Sequence, residues 1–126
     1  MPATIAILDD DHVIRLTRYA ISGPGEITTD CYVDVRSLVP LDTRTILAEV
    51  AKTGRLFTVE ENPRLCGWGA EIVSIVAEEA FGSLRGPVVR ITTPHVPLPA
   101  ADALEDYVLP SAERITATVR KTLEDA

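Results

Sequence analysis

The sequence predicts an α/β domain built on a mostly parallel sheet, and three observations carry that prediction. From residue 31 onward strand-like and helix-like runs alternate, the order that lays helices across parallel strands. The run LFTVEENPRLCGWGAEIVSIVAEEAF, residues 56–81, reads as strand, loop and helix in direct succession. The strand-like runs are aliphatic and β-branched, as in VVRIT at 88–92, which suits strands covered on both faces.

A chain of 126 residues holds one domain with a real core, so 1–126 is read as a single unit. Hydrophobic residues make up 46% and aromatics only 5%, so the core must be aliphatic. The net charge of −7 and a pI near 4.7 exclude a phosphate-backbone binder and an anionic-membrane binder, both of which need a basic surface. No apolar run nears the ~18 residues of a membrane helix, and the start, MPATIAILDDDH, lacks a basic segment leading into a long apolar one. A cytoplasmic location is expected. Cys31 and Cys66 show no CxxC spacing and are read as free thiols without redox or zinc chemistry.

Along the chain, residues 4–8 and 13–19 read as two short strands joined by Asp9-Asp10-Asp11-His12, a turn of hairpin length, and are expected to pair antiparallel. The three aspartates face water in this reading, too few ligands for a metal cage. Ser22-Gly23-Pro24-Gly25 makes 21–30 a loop. CYVDVR at 31–36 alternates as a strand. Asp42 then caps a helix through Lys52, with Ile46, Leu47 and Val50 as its buried stripe and Gly54 as its stop.

In the central unit a strand of Leu56, Phe57 and Val59 is expected to end at Glu60 and Glu61, break at Asn62-Pro63, and restart as a helix after Gly67-Trp68-Gly69. Apolar residues cover well over half of that helix, so it is expected to be central and largely buried. The strand at 88–92 leads into TPHVPLP at 93–99, a stiff extended crossing, and 100–109 is expected to be irregular. Ser111 caps a terminal helix with Ile115, Val119 and Leu123 on one face.

Ligands gather where the strands of an open α/β sheet end and its helices begin, which makes the loop from Glu60 to Gly69 the first place to look for function. Glu60 and Glu61 either cap nearby backbone donors or meet a cation from a partner subunit. The free N–H groups at the helix start suit a small anion. Trp68 is either an interface anchor or a core residue. His12 and His95 are the only histidines, and His95 lies beyond a strand end where a functional role is open. No G-x-S-x-G, P-loop or G-x-G-x-x-G occurs.

Four phrases go further: DVRSL with PLD at 34–42, KTGR at 52–55, the Glu60-Glu61 strand end leading to Gly67, Gly69, Ala70, Glu71 and Ile72, and Pro97 to Pro99 with Leu109-Pro110-Ser111. Together they resemble the C-terminal domain of the beta subunit of thiamine-diphosphate-dependent 2-oxo acid dehydrogenases, of the pyruvate, branched-chain and acetoin types, over residues 31–126. Residues 1–30 are the divergent hairpin and loop. The resemblance implies a three-layer α/β/α domain, of the transketolase C-terminal type, with a mixed five-stranded sheet and one antiparallel strand. It also implies that this chain contacts other subunits and the acyltransferase core, while thiamine diphosphate and magnesium are held elsewhere in the complex.

Three positions depart from that pattern. Residues 21–30 stand where a helix is usual, Leu65-Cys66-Gly67 replaces Thr-Gly-Gly, and His95 replaces an aspartate. A sheet face left uncovered by the missing helix would favour self-association into a homo-oligomer. The candidate interface or anion-binding residues are therefore Glu60, Glu61, Gly67, Trp68, Gly69, Glu71 and His95, with no catalytic residue and no metal ligand expected in this chain. A subunit-assembly domain is the first reading. The alternative is a free-standing α/β domain that binds a small anion or a protein partner at residues 60–69.

Overall fold

A computed structural model describes residues 4–7 and 31–125. Among these residues four strands form one sheet in the order β2-β1-β3-β4: β1 (Thr4–Ile7), β2 (Cys31–Asp34), β3 (Leu56–Pro63) and β4 (Val89–Thr93). Every ladder is parallel, with Thr4 opposite both Cys31 and Leu56, and Phe57 opposite Val89. Thr4–Ile7 thus pairs in parallel on both sides, rather than antiparallel with the run that follows it. The expected strand at 13–19 and the loop at 21–30 lie outside the described residues.

Parallel strands require crossovers, and both of those among the described residues are helical. Helix α1 (Thr43–Thr53) connects β2 to β3 across β1, and α2 (Gly69–Glu79) connects β3 to β4. Both present narrow apolar stripes to the sheet: Ile46 and Val50 from α1, and Ile72 and Val76 from α2, close on Leu56 of β3 as one buried cluster. The second helix was expected to be buried on most of its surface. Instead its buried positions are Gly69, Ile72 and Val76, one stripe, while Ala70, Ser74 and Ala77 face outward, because alanines counted as apolar there need no cover.

Side chains alternate along β3, so Phe57 and Val59 point to the face opposite Leu56, and both are fully buried. The terminal helix α4 (Ala112–Glu124) buries its own Ile115 and Val119 and is tied to β4 by Arg114, whose Nη2 donates to the Thr92 carbonyl at 2.7 Å. Ser111 caps it, accepting from the Arg114 N–H at 3.2 Å. The stretch 100–109 contains a short helix, α3 (Asp102–Val108), where an irregular segment was expected. Prolines at 99 and 110 bracket it, and Asp102 and Glu105 in its first turn suit the helix dipole.

Local capping works at α1 as the sequence predicts. Asp42 accepts from the Thr45 backbone N–H at 3.1 Å and from the Thr45 hydroxyl at 2.7 Å, and Gly54 closes the helix in the left-handed region at φ 74°. The Thr45 hydroxyl, then the Thr45 N–H and the charge of Arg44, hold the Asp42 carboxyl below its ordinary 3.8. A lowered folded pKa means the contribution is present above the ordinary carboxylate range and is lost as pH falls through the folded value. Thermal melts between about pH 5 and pH 2.5 should therefore show wild type losing stability relative to Asp42→Asn, which caps without titrating. A constant difference across that range would remove the assignment.

Candidate functional site

The carboxyl-terminal half of β3, Arg90 near the start of β4 and the start of α2 converge at Glu60. This residue was expected at a strand end, yet β3 continues to Pro63 and carries Glu60 inside it, with no exposed surface. In the parallel register Thr58 faces Arg90, so Arg90 of β4 shares the face of Thr58 and Glu60. Arg90 Nη2 donates to Glu60 Oε1 at 2.8 Å and also to the Arg64 carbonyl at 2.8 Å. The second carboxylate oxygen, Oε2, accepts from the Gly69 backbone N–H at 2.9 Å and from Asn62 Nδ2 at 3.0 Å.

Three donors, one of them the counter-charge Arg90, thus meet a carboxylate that would otherwise be costly to bury. They also explain how α2 starts. Trp68 holds its N-cap position without a side-chain cap, and Glu60, nine residues before Gly69, takes that role and sets a negative charge against the positive end of the helix. The loop between them folds tightly. Cys66 lies in the left-handed region at φ 59°, and a Cβ on Gly67 would come within 2.5 Å of Asn62 Nδ2 and 2.8 Å of Arg90 Nη2.

This arrangement determines what the site can do. Glu60 has no solvent contact and its oxygens are engaged, so it acts as a lock between two strands, a loop and a helix rather than as a general base. The helix N–H that would greet a small anion already serves Glu60, and a second negative charge there would be repelled. A diphosphate does not fit this strand end for the same reason. Among the described residues no group of three or more His, Cys, Asp or Glu is placed to hold a metal ion.

The other candidates separate into two surfaces. Gly67, Trp68 and Glu71 line a shallow depression of about 280 Å³ with Cys66 and Ala70, where Trp68 is 38% and the neighbouring Leu65 63% exposed. Glu61 belongs to another groove, of about 430 Å³, with Asn62, Pro63, Thr93, Val96 and Leu98; its backbone carbonyl accepts from the Thr93 hydroxyl. His95 is exposed in the proline-rich crossing and lines neither surface. Arg90 and Asn62 were missed by sequence reasoning. A signal existed for the first: a lone arginine in the middle of VVRIT needs a buried partner.

A family model described as Transketolase, C-terminal domain matches residues 30–115. The beta subunit of acetoin:2,6-dichlorophenolindophenol oxidoreductase from Cupriavidus necator is 42% identical over 92 residues, covering 73% of this chain and 27% of that protein. The 2-oxoisovalerate dehydrogenase subunit beta of Pseudomonas aeruginosa is 41% identical over 92 residues, covering 73% of this chain and 26% of that protein. A solved structure described as split gene transketolase, inactive beta4 tetramer, covers 98% of this chain and 38% of its own, with a TM-score of 0.67 and 25% identity. The chain spans about a quarter of the length of the curated relatives it matches.

Proposed function

The chain belongs to the transketolase C-terminal domain family, and on that premise we propose that it is the C-terminal assembly domain of a 2-oxo acid dehydrogenase beta subunit of pyruvate dehydrogenase type. One observation supports this above the others. At the carboxyl-terminal side of the sheet, where an α/β enzyme places reactive groups, the buried carboxylate is spent on internal order, and the loop exposes two large apolar side chains, Leu65 and Trp68, beside Arg64 and Cys66.

In this reading thiamine diphosphate, magnesium and the 2-oxo acid are handled by companion pieces, and this chain supplies contacts to them and to the acyltransferase core. It works in the cytosol, and it self-associates when its companions are absent. The family reading also implies a fifth, antiparallel strand that completes the sheet. A matching alpha subunit and a pyrimidine-binding domain, mixed with the purified chain, should form a complex and recover 2-oxo acid decarboxylation. No association at micromolar concentration would remove the proposal.

A second reading, a free-standing domain that binds a protein partner through residues 60–69, draws on the same exposed Leu65 and Trp68. Substituting both with serine separates the two readings. Complex formation with the companion subunits should drop at least about tenfold if this loop is one of their contacts, and stay unchanged if it serves an unrelated partner.

A further inference from the structure

Two charged side chains are buried among the described residues, Glu60 and Arg55, and only Glu60 has a counter-charge. Arg55 is 7% exposed, meets no carboxylate among the described residues, and has a buried Nη1 without a hydrogen-bond partner. A guanidinium taken out of water in this way is unfavourable unless an anion meets it.

Its surroundings are built rather than incidental. Arg55 stands at the amino-terminal end of β3, opposite the end that carries Glu60, and the Gly54 carbonyl accepts from the Arg85 N–H at 2.8 Å. That bond sets Gly54-Arg55 against Arg85-Gly86, and each arginine covers the other's glycine. A Cβ on Gly86 would lie 2.5 Å from Arg55 Nη1, and one on Gly54 would lie 2.8 Å from Arg85 Cγ and Cδ. Gly54 is also required for its backbone angle of 74°, whereas Gly86 has no positive φ, so the missing side chain there serves to admit the guanidinium.

We propose that the Arg55–Arg85 clasp is a receptor for a phosphoryl-type oxyanion. The buried Arg55 guanidinium meets no carboxylate among the described residues and calls for a negative charge, the exposed Arg85 adds a second cation beside it, and their forked donors match phosphate oxygens in pairs. A lone carboxylate would answer only one of them. The turn at 84–87 forms the cover, with Arg85 and Pro87 exposed and Gly86 half-buried, so the anion enters from the solvent side of that turn. The site lies apart from residues 60–69 and stands or falls independently of the assembly proposal.

Inorganic phosphate is the probe. Melts and isothermal titration of the purified chain, in phosphate against chloride at matched ionic strength, should show a saturable rise of about 5 °C at roughly ten times the dissociation constant. Arg55→Met should melt higher than wild type in chloride, because an unanswered buried charge is gone, and should show no saturable response. Its melts also give the baseline for the general stabilisation that phosphate salts exert on any fold. Arg85→Gln, at an exposed position, should weaken binding about tenfold while leaving the fold intact, and it decides the matter if Arg55→Met does not fold. Absence of a saturable response in wild type, wild-type affinity in Arg85→Gln, or a retained response in Arg55→Met would each overturn the proposal.

Discussion

Glu60→Ala should cost the fold about 3–5 kcal/mol, the usual penalty for removing one partner of a buried ion pair. That is a large share of the roughly 5–15 kcal/mol by which a domain of this kind is stable. The substitution leaves Arg90 Nη2, the Gly69 N–H and Asn62 Nδ2 without their shared acceptor, and Arg90 is itself 13% exposed. Because the loss arises from the orphaned charge, Glu60→Leu combined with Arg90→Met should cost clearly less than the sum of the two single changes. Urea denaturation of the four proteins measures this cycle. Additive losses would mean that the pair does not act as a unit.

Gly69→Ala should destabilise the fold by about 2–3 kcal/mol, although alanine ordinarily stabilises a helix relative to glycine. A Cβ at this position would come within 2.6 Å of both Glu60 Oε1 and Thr58 Oγ1. Neither neighbour is free to yield, since the carboxylate is held by three donors and Thr58 is fully buried in β3. Gly82→Ala provides the contrast, because nothing lies within 4 Å of a Cβ there. That change should stay within about 0.5 kcal/mol of wild type. If Gly69→Ala melted at or above wild type, the close seating of α2 on Glu60 would be wrong.

Both predictions rest on a site that was only half legible beforehand. The loop from Glu60 to Gly69 was found because strand, breaker and helix signals stand next to each other in the chain. The capping role of Glu60 was one of two readings, and the structure selects it by bringing the Gly69 N–H to 2.9 Å. Arg90 was not found, because the bond that matters joins positions thirty residues apart in sequence. Only the β3–β4 register, which sets Arg90 opposite Thr58, puts the two charges on one face. Helix α3 was missed for the converse reason: two prolines bracket seven residues, and local rules alone favour irregular chain there.

What the sequence determined by itself is whatever a few neighbouring residues can decide. The Asp42 and Ser111 caps, the Gly54 stop, and the succession of β3 and α2 all arise from hydrogen bonds and steric limits that act within about one helical turn. Tertiary structure decided which charges are answered. Among the described residues Glu60 is neutralised and Arg55 is not, because a parallel sheet sets side chains from distant segments on a common face, and in a low-dielectric interior such placement outweighs any local preference.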